Sequence, residues 1–133
     1  MRAIPARVTR GLNIGSNVTA SDNSGARIVR IVGVVRGKTS KGTQQYAKVG
    51  DWVKVSVRAG KPEMKGEVFD AVVIRQKKPY RRNTGERVMF EDNAVALLKD
   101  DKGNPKGTQV KGPAAKELIE RWKAVAKIAQ FVL

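Results

Sequence analysis

The chain has 133 residues, with 27 Lys and Arg against 12 Asp and Glu, a formal net charge of +15. Its length is that of one domain, and 41% hydrophobic residues are enough for a packed core, which excludes a basic disordered tail. Cys and His are both absent, which removes disulfides, thiolate and imidazole metal sites, Ser-His-Asp and Cys-His catalysis, and histidine acid/base chemistry.

Residues 1–16 contain Pro5, Gly11, Gly15 and three arginines, without a clear period, and read as a basic extension with little core of its own. They hold no apolar run of signal-peptide length, and nothing in the chain approaches the roughly 18 consecutive apolar residues of a spanning helix. With no cysteine, the cytoplasm is the expected compartment. Residues 18–21 lead into Asp22-Asn23-Ser24-Gly25, a turn composition. Residues 26–35 are rich in Val and Ile, with Gly33 marking a bend or bulge. Residues 37–48, GKTSKGTQQYAK, read as an exposed basic loop or hairpin tip.

From residue 51 to 58 the alternation is clean. Val53, Val55 and Val57 share one side and Trp52, Lys54, Ser56 and Arg58 the other, which predicts a half-buried strand. Residues 68–75 (VFDAVVIR), 88–90 and 94–98 predict further strands, and residues 100–105 a turn. Short strands joined by turns suggest a small antiparallel barrel, which leaves no open sheet edges. Gly112-Pro113 resembles a helix start, and Leu118, Ile119, Trp122, Val125 and Ala126 recur at helical spacing, so a helix is expected from Pro113 with a break near Lys123.

Gly37-Lys38-Thr39 lacks the register of a phosphate loop, because Val32 occupies the position where the leading Gly is required. Asp22, Asp51 and Asp70 suit turns, strand ends and ion pairs better than an acid/base pair. Asp100 and Asp101 lack the spacing of a calcium loop. The strongest local chemistry is RQKKPYRR at residues 75–82, five cations in eight residues with Tyr80 among them. Lysines supply point charges for phosphate, arginines supply planar forks, and the tyrosine ring could stack on bases. The expected nucleic-acid contacts are therefore Arg75, Lys77, Lys78, Tyr80, Arg81 and Arg82, with Arg36, Lys38, Lys41 and Lys48 as a second cluster and Arg2, Arg7 and Arg10 as a third. Net charge falls from +8 over residues 1–50 to +5 over 51–90 and +2 over 91–133, so the last third suits RNA least.

DNSGAR (22–27), YAKVGD (46–51), AVVIRQKK (71–78), FEDNAVALL (90–98) and GTQVKGPAAKEL (107–118) stand in the order seen in the universal large-subunit ribosomal protein L-fourteen family, and the closing KIAQFVL is similar too. The chain resembles that family from residue 18 to residue 133. The RQKKPYRR arm, GKPE at 60–63 and the N-terminal extension resemble its archaeal and eukaryotic branch. Thr84 before Gly85, where many members have Asp, and the residues after Asn93 are small departures.

The resemblance implies a closed five-stranded antiparallel β-barrel over 17–110 with a projecting β-ribbon, and a portion of short helices over 111–133. It implies a structural, non-enzymatic role in the large ribosomal subunit, without a cofactor or metal, bound to large-subunit rRNA and neighbouring large-subunit ribosomal proteins. At the subunit interface it implies a bridge to small-subunit rRNA and docking of an anti-association initiation factor, placed here at Thr108, Lys123 and Lys127. Two rivals stand beside it. One is a barrel binding single-stranded nucleic acid through aromatics, although Tyr46, Trp52 and Tyr80 make no single platform. The other is a metal-dependent phosphoesterase using Asp22, Asp51 or Asp70.

Overall fold

The computed structural model describes residues 3–35, 37 and 44–133. Five strands close a barrel in the order β10-β3-β4-β6-β7: β3 (Asn17–Ala20), β4 (Ala26–Val34), β6 (Trp52–Gly60), β7 (Val68–Arg75) and β10 (Ala94–Leu98). Four seams are antiparallel. The fifth, β3 with β10, is parallel, pairing Ala94 with Thr19 and Val95 with Ala20. The antiparallel expectation therefore fails at one seam, because a closed ring of five strands cannot alternate direction all the way round and one neighbouring pair must run parallel. Register shifts on β4 fall on either side of Ile28 and between Ile31 and Gly33, so the strand bends where the glycine suggested.

Side chains of β3, β4 and β6 alternate between a buried and a wetter face. Val29, Ile31, Val53, Val55 and Val57 point into the barrel with Val18, Val73, Val95 and Leu97. β7 and β10 do not alternate. Their runs AVVI and AVALL are buried throughout, because Val72, Ile74, Ala96 and Leu98 face a second core outside the barrel. Continuous apolar strands need cover on both faces.

The cover comes from the two chain ends. β11 (Val110–Ala114), α1 (Leu118–Arg121), α2 (Lys123–Lys127) and β12 (Ala129–Val132) bring Val110, Leu118, Trp122 and Val125 against β7 and β10. Pro113 lies inside β11 rather than opening a helix, since Gly112 at φ +76° and the parallel pairing with β12 hold the segment extended. The expected break does occur, at Trp122, which separates two short helices. The N-terminal extension also has a core. Val8 and Leu12 are buried, β1 (Ala6–Arg7) pairs with β8 (Tyr80–Arg82), and β2 (Leu12–Asn13) pairs with β5 (Tyr46–Ala47). Gly50, at φ +85°, lets Ile4 pack directly on the backbone, and its carbonyl accepts a 2.8 Å hydrogen bond from Trp122 Nε1. Both chain ends thus meet at one turn.

Candidate nucleic-acid interface

RQKKPYRR leaves β7 and returns as β8, which lies between β1 and β9 (Arg87–Val88) in a three-stranded antiparallel sheet. The expected ribbon is thus the β8–β9 hairpin, and its inner face is packed down rather than solvated. Of the predicted strand at 88–90 only Val88 lies in β9; Phe90 is buried beyond it.

Arg75 is buried. Its Nε and Nη2 donate to the two Asp92 carboxylate oxygens at 2.5 and 3.1 Å, Nη1 donates to the carbonyls of Lys111 and Pro113, and Nη2 to Ser21 Oγ at 2.8 Å. Nη1 thus joins the barrel to the C-terminal cover, while Nε and Nη2 fasten β7 to the segments that carry Asp92 and Ser21. The Arg75 hydrogen bonds hold the Asp92 carboxyl below its usual range. Gly112 belongs to the same joint, because a Cβ there would lie 3.1 Å from Arg75 Nη1.

Gln76 is fully buried and acts as a second fastener. Its amide donates to Thr9 O and Lys78 O at 3.0 Å, and its oxygen accepts from Val49 N. Tyr80 is also 0% exposed, so its ring cannot stack on a base. Its hydroxyl donates to Glu117 Oε2 at 2.8 Å, and burial together with that carboxylate pushes its pKa up. Arg82 donates from Nε to Glu117 Oε1 at 2.7 Å and from Nη2 to the Leu133 carbonyl. The expectation that Arg75, Tyr80 and Arg82 meet nucleic acid is therefore corrected. Alternation along β8 turns Tyr80 and Arg82 inward, and carboxylates distant in sequence engage both arginines.

The rest of the motif faces water. Lys77, Lys78 and Arg81 are exposed, as are Arg7 and Arg10 on the neighbouring N-terminal segment. Thr9 Oγ1 donates to Pro79 O at 2.6 Å and Gly11 lies against the Lys78 side chain, so these two cationic segments are held side by side. Lys48 is half-buried, and its amide donates to Asp51, whose carboxyl burial holds above the usual range. Arg2, Arg36, Lys38 and Lys41 lie outside the described residues.

Several exposed cations were not among the expected contacts. Arg27 and Arg30 on β4 and Arg58 on β6 project from the wetter barrel face, beside exposed Ile28 and Val32. The alternation of these strands carried that signal. Arg87 on β9 had no local signal, since a two-residue strand shows no period.

The three aspartates considered for catalysis are engaged separately. Asp22 is buried and accepts from Leu97 N at 2.9 Å and from Ser24 Oγ, Asp70 pairs with Lys54, and Asp51 holds the Lys48 amide. Among the C-terminal positions, Thr108 is exposed and bound to Asn23 through both its amide and its hydroxyl at 2.7 Å. Lys123 and Lys127 flank an apolar groove lined by Ile119, Ala126 and Val132.

The family model described as "Ribosomal protein L14p/L23e" matches residues 11–133. The protein named "Large ribosomal subunit protein uL14" from Nanoarchaeum equitans is 50% identical over 133 residues, covering 100% of both chains. Those of Halorubrum lacusprofundi and Thermoplasma acidophilum, under the same name, are each 45% identical over the same full length.

Proposed function

Because the chain belongs to the Ribosomal protein L14p/L23e family, we propose that its exposed cationic surface binds large-subunit rRNA through the phosphate backbone. As a family member it is a structural constituent of the large ribosomal subunit, in the ribosome in the cytoplasm, and not an enzyme. The observation that carries the RNA reading is the sorting of its cations. Arg75 and Arg82 are closed off by carboxylates inside the fold, whereas Arg7, Arg10, Lys77, Lys78 and Arg81 face water on one joined segment pair. Arg2, Arg36, Lys38, Lys41 and Lys48 belong to the same proposal on sequence alone.

At the subunit interface the proposed roles are a bridge to small-subunit rRNA and docking of an anti-association initiation factor. The docking surface would comprise Thr108, Lys123 and Lys127, with the apolar groove between the two lysines as its seat. Nearly balanced charge over residues 91–133 and exposed Ile119 support a protein partner there.

Sedimentation of cell lysate at low and high magnesium tests the assignment. The protein is expected to follow the large subunit after the subunits separate; retention at the top of the gradient in both conditions would overturn it. For the docking surface, Lys123→Glu with Lys127→Glu should release the factor from isolated large subunits without lowering incorporation of the protein. Unchanged factor binding would remove these lysines from the surface.

A further inference from the structure

The three-stranded sheet sets three arginines in one row. Arg7 on β1 stands directly opposite Arg81 on β8, and Arg81 stands directly opposite Arg87 on β9. Residues opposite one another in a ladder project to the same face, and all three are exposed. Neighbouring strands lie about 4.8 Å apart, so the row spans about 10 Å. Like charges directly opposed destabilise a sheet. Among the described residues none of the three arginines has an ion pair. The nearest acidic neighbour in sequence, Glu86, contacts Arg82 and Thr84.

The opposite face of the same sheet is fully engaged, with Tyr80 and Arg82 bound to Glu117 and Val88 packed on the second core. The row is therefore mounted on a fixed base, which keeps three forks in place before any ligand arrives. A free-standing protein gains nothing from three uncompensated arginines in register. A ligand that brings a matching line of negative charge turns the repulsion into binding.

We propose that Arg7, Arg81 and Arg87 form a single phosphate-backbone site that takes one RNA strand across β1, β8 and β9, reading charge and spacing rather than base identity. The proposal rests on the rRNA reading above and deepens it. Consecutive phosphates of one strand can lie along a row of this length. Arginine forks bind phosphate oxygens bidentately, which lysine cannot do. The aromatic residue of this sheet, Tyr80, is turned inward, away from the row, and holds no base there. Occupancy also ties the N-terminal strand down, because Arg7 repels Arg81 until an anion lies between them.

The test compares two triple variants that remove equal charge, Arg7→Gln with Arg81→Gln and Arg87→Gln, and Arg27→Gln with Arg30→Gln and Arg58→Gln on the barrel face. The probe is a short oligouridylate, titrated over a range of salt, with a polyglutamate peptide in parallel. The row variant is expected to lower the slope of log K against log salt by about 2, at roughly 0.7 per lost contact, and the barrel variant by less than half of that. In the absence of RNA the row variant should melt no lower than the parent, and oligouridylate should raise its melting temperature less than the parent's.

Equal losses from both variants would overturn the row while leaving RNA binding intact, since affinity would then follow net charge alone. A markedly lower melting temperature of the row variant without RNA would make the arginines structural and overturn it as well. Tighter binding of polyglutamate than of oligouridylate at the row would assign it to an acidic protein segment instead. A parent chain that bound no RNA at all would remove the underlying rRNA reading together with the row.

Discussion

Arg81 and Arg82 are adjacent in the chain and do opposite work. Arg82 is buried, with Glu117 and the Leu133 carbonyl closing its donors, and Arg75 is held in the same way by Asp92 and two carbonyls. Arg81 is exposed and stands between Arg7 and Arg87 with no carboxylate paired to it among the described residues. A run of basic residues is therefore no single unit. Strand alternation splits it into cations that hold the fold and cations that remain open to a polyanion.

The largest effect should come from removing the anion at the inner face. Glu117→Ala takes the buried carboxylate away from both Arg82 and the Tyr80 hydroxyl, and urea unfolding should show a loss of about 3–5 kcal/mol. Next is Arg75→Gln, which strips the links to Asp92, Ser21 and the β11 carbonyls. A loss of about 2–3 kcal/mol is expected in the same assay. A smaller loss, about 1 kcal/mol at neutral pH, is expected for Tyr80→Phe.

That variant also sharpens a pH dependence. The folded-state pKa of Tyr80 lies above its unfolded value of about 10, so between the two the native state holds a proton that the unfolded state has released. The stabilisation is complete below pH ~10 and declines as pH rises toward the folded pKa. Denaturation curves of the parent and Tyr80→Phe should therefore converge as pH rises above ~10, and a gap that stayed constant would contradict the linkage. Asp92 runs the other way. Its depressed pKa gives stability that is present above the usual carboxylate range and lost on acidification, and Arg75→Gln should abolish that part of the acid sensitivity.

Much of the barrel was legible because period and face agree. β6 alternates and is wet on one side, and β4 carries its bend at Gly33. The bounds of β7 and β10 followed from their apolar runs, but what covers them did not, since the cover is brought in by pairings remote in sequence. Residues 129–132 hold no strand signal of their own; β12 exists because β11 offers it a parallel edge. Pro113 misled for the same reason.

The candidate site divides along the same line. The exposed Lys77, Lys78 and Arg81 could be read from composition. The inward turn of Tyr80 and Arg82 depends on Glu117, 37 and 35 residues away in the chain. Arg87 became visible only once β9 was placed beside β8.

The most direct measurement pairs Arg81→Gln with Arg82→Gln and determines unfolding free energy and RNA affinity for each. Arg81→Gln is expected to stay within about 0.5 kcal/mol of the parent in stability while binding RNA more weakly and with a shallower salt dependence. Arg82→Gln is expected to lose stability while its folded fraction binds RNA with the parent's affinity. An Arg82→Gln protein of parental stability that had lost RNA binding, or an Arg81→Gln protein that unfolded easily and bound normally, would contradict the division of the two arginines.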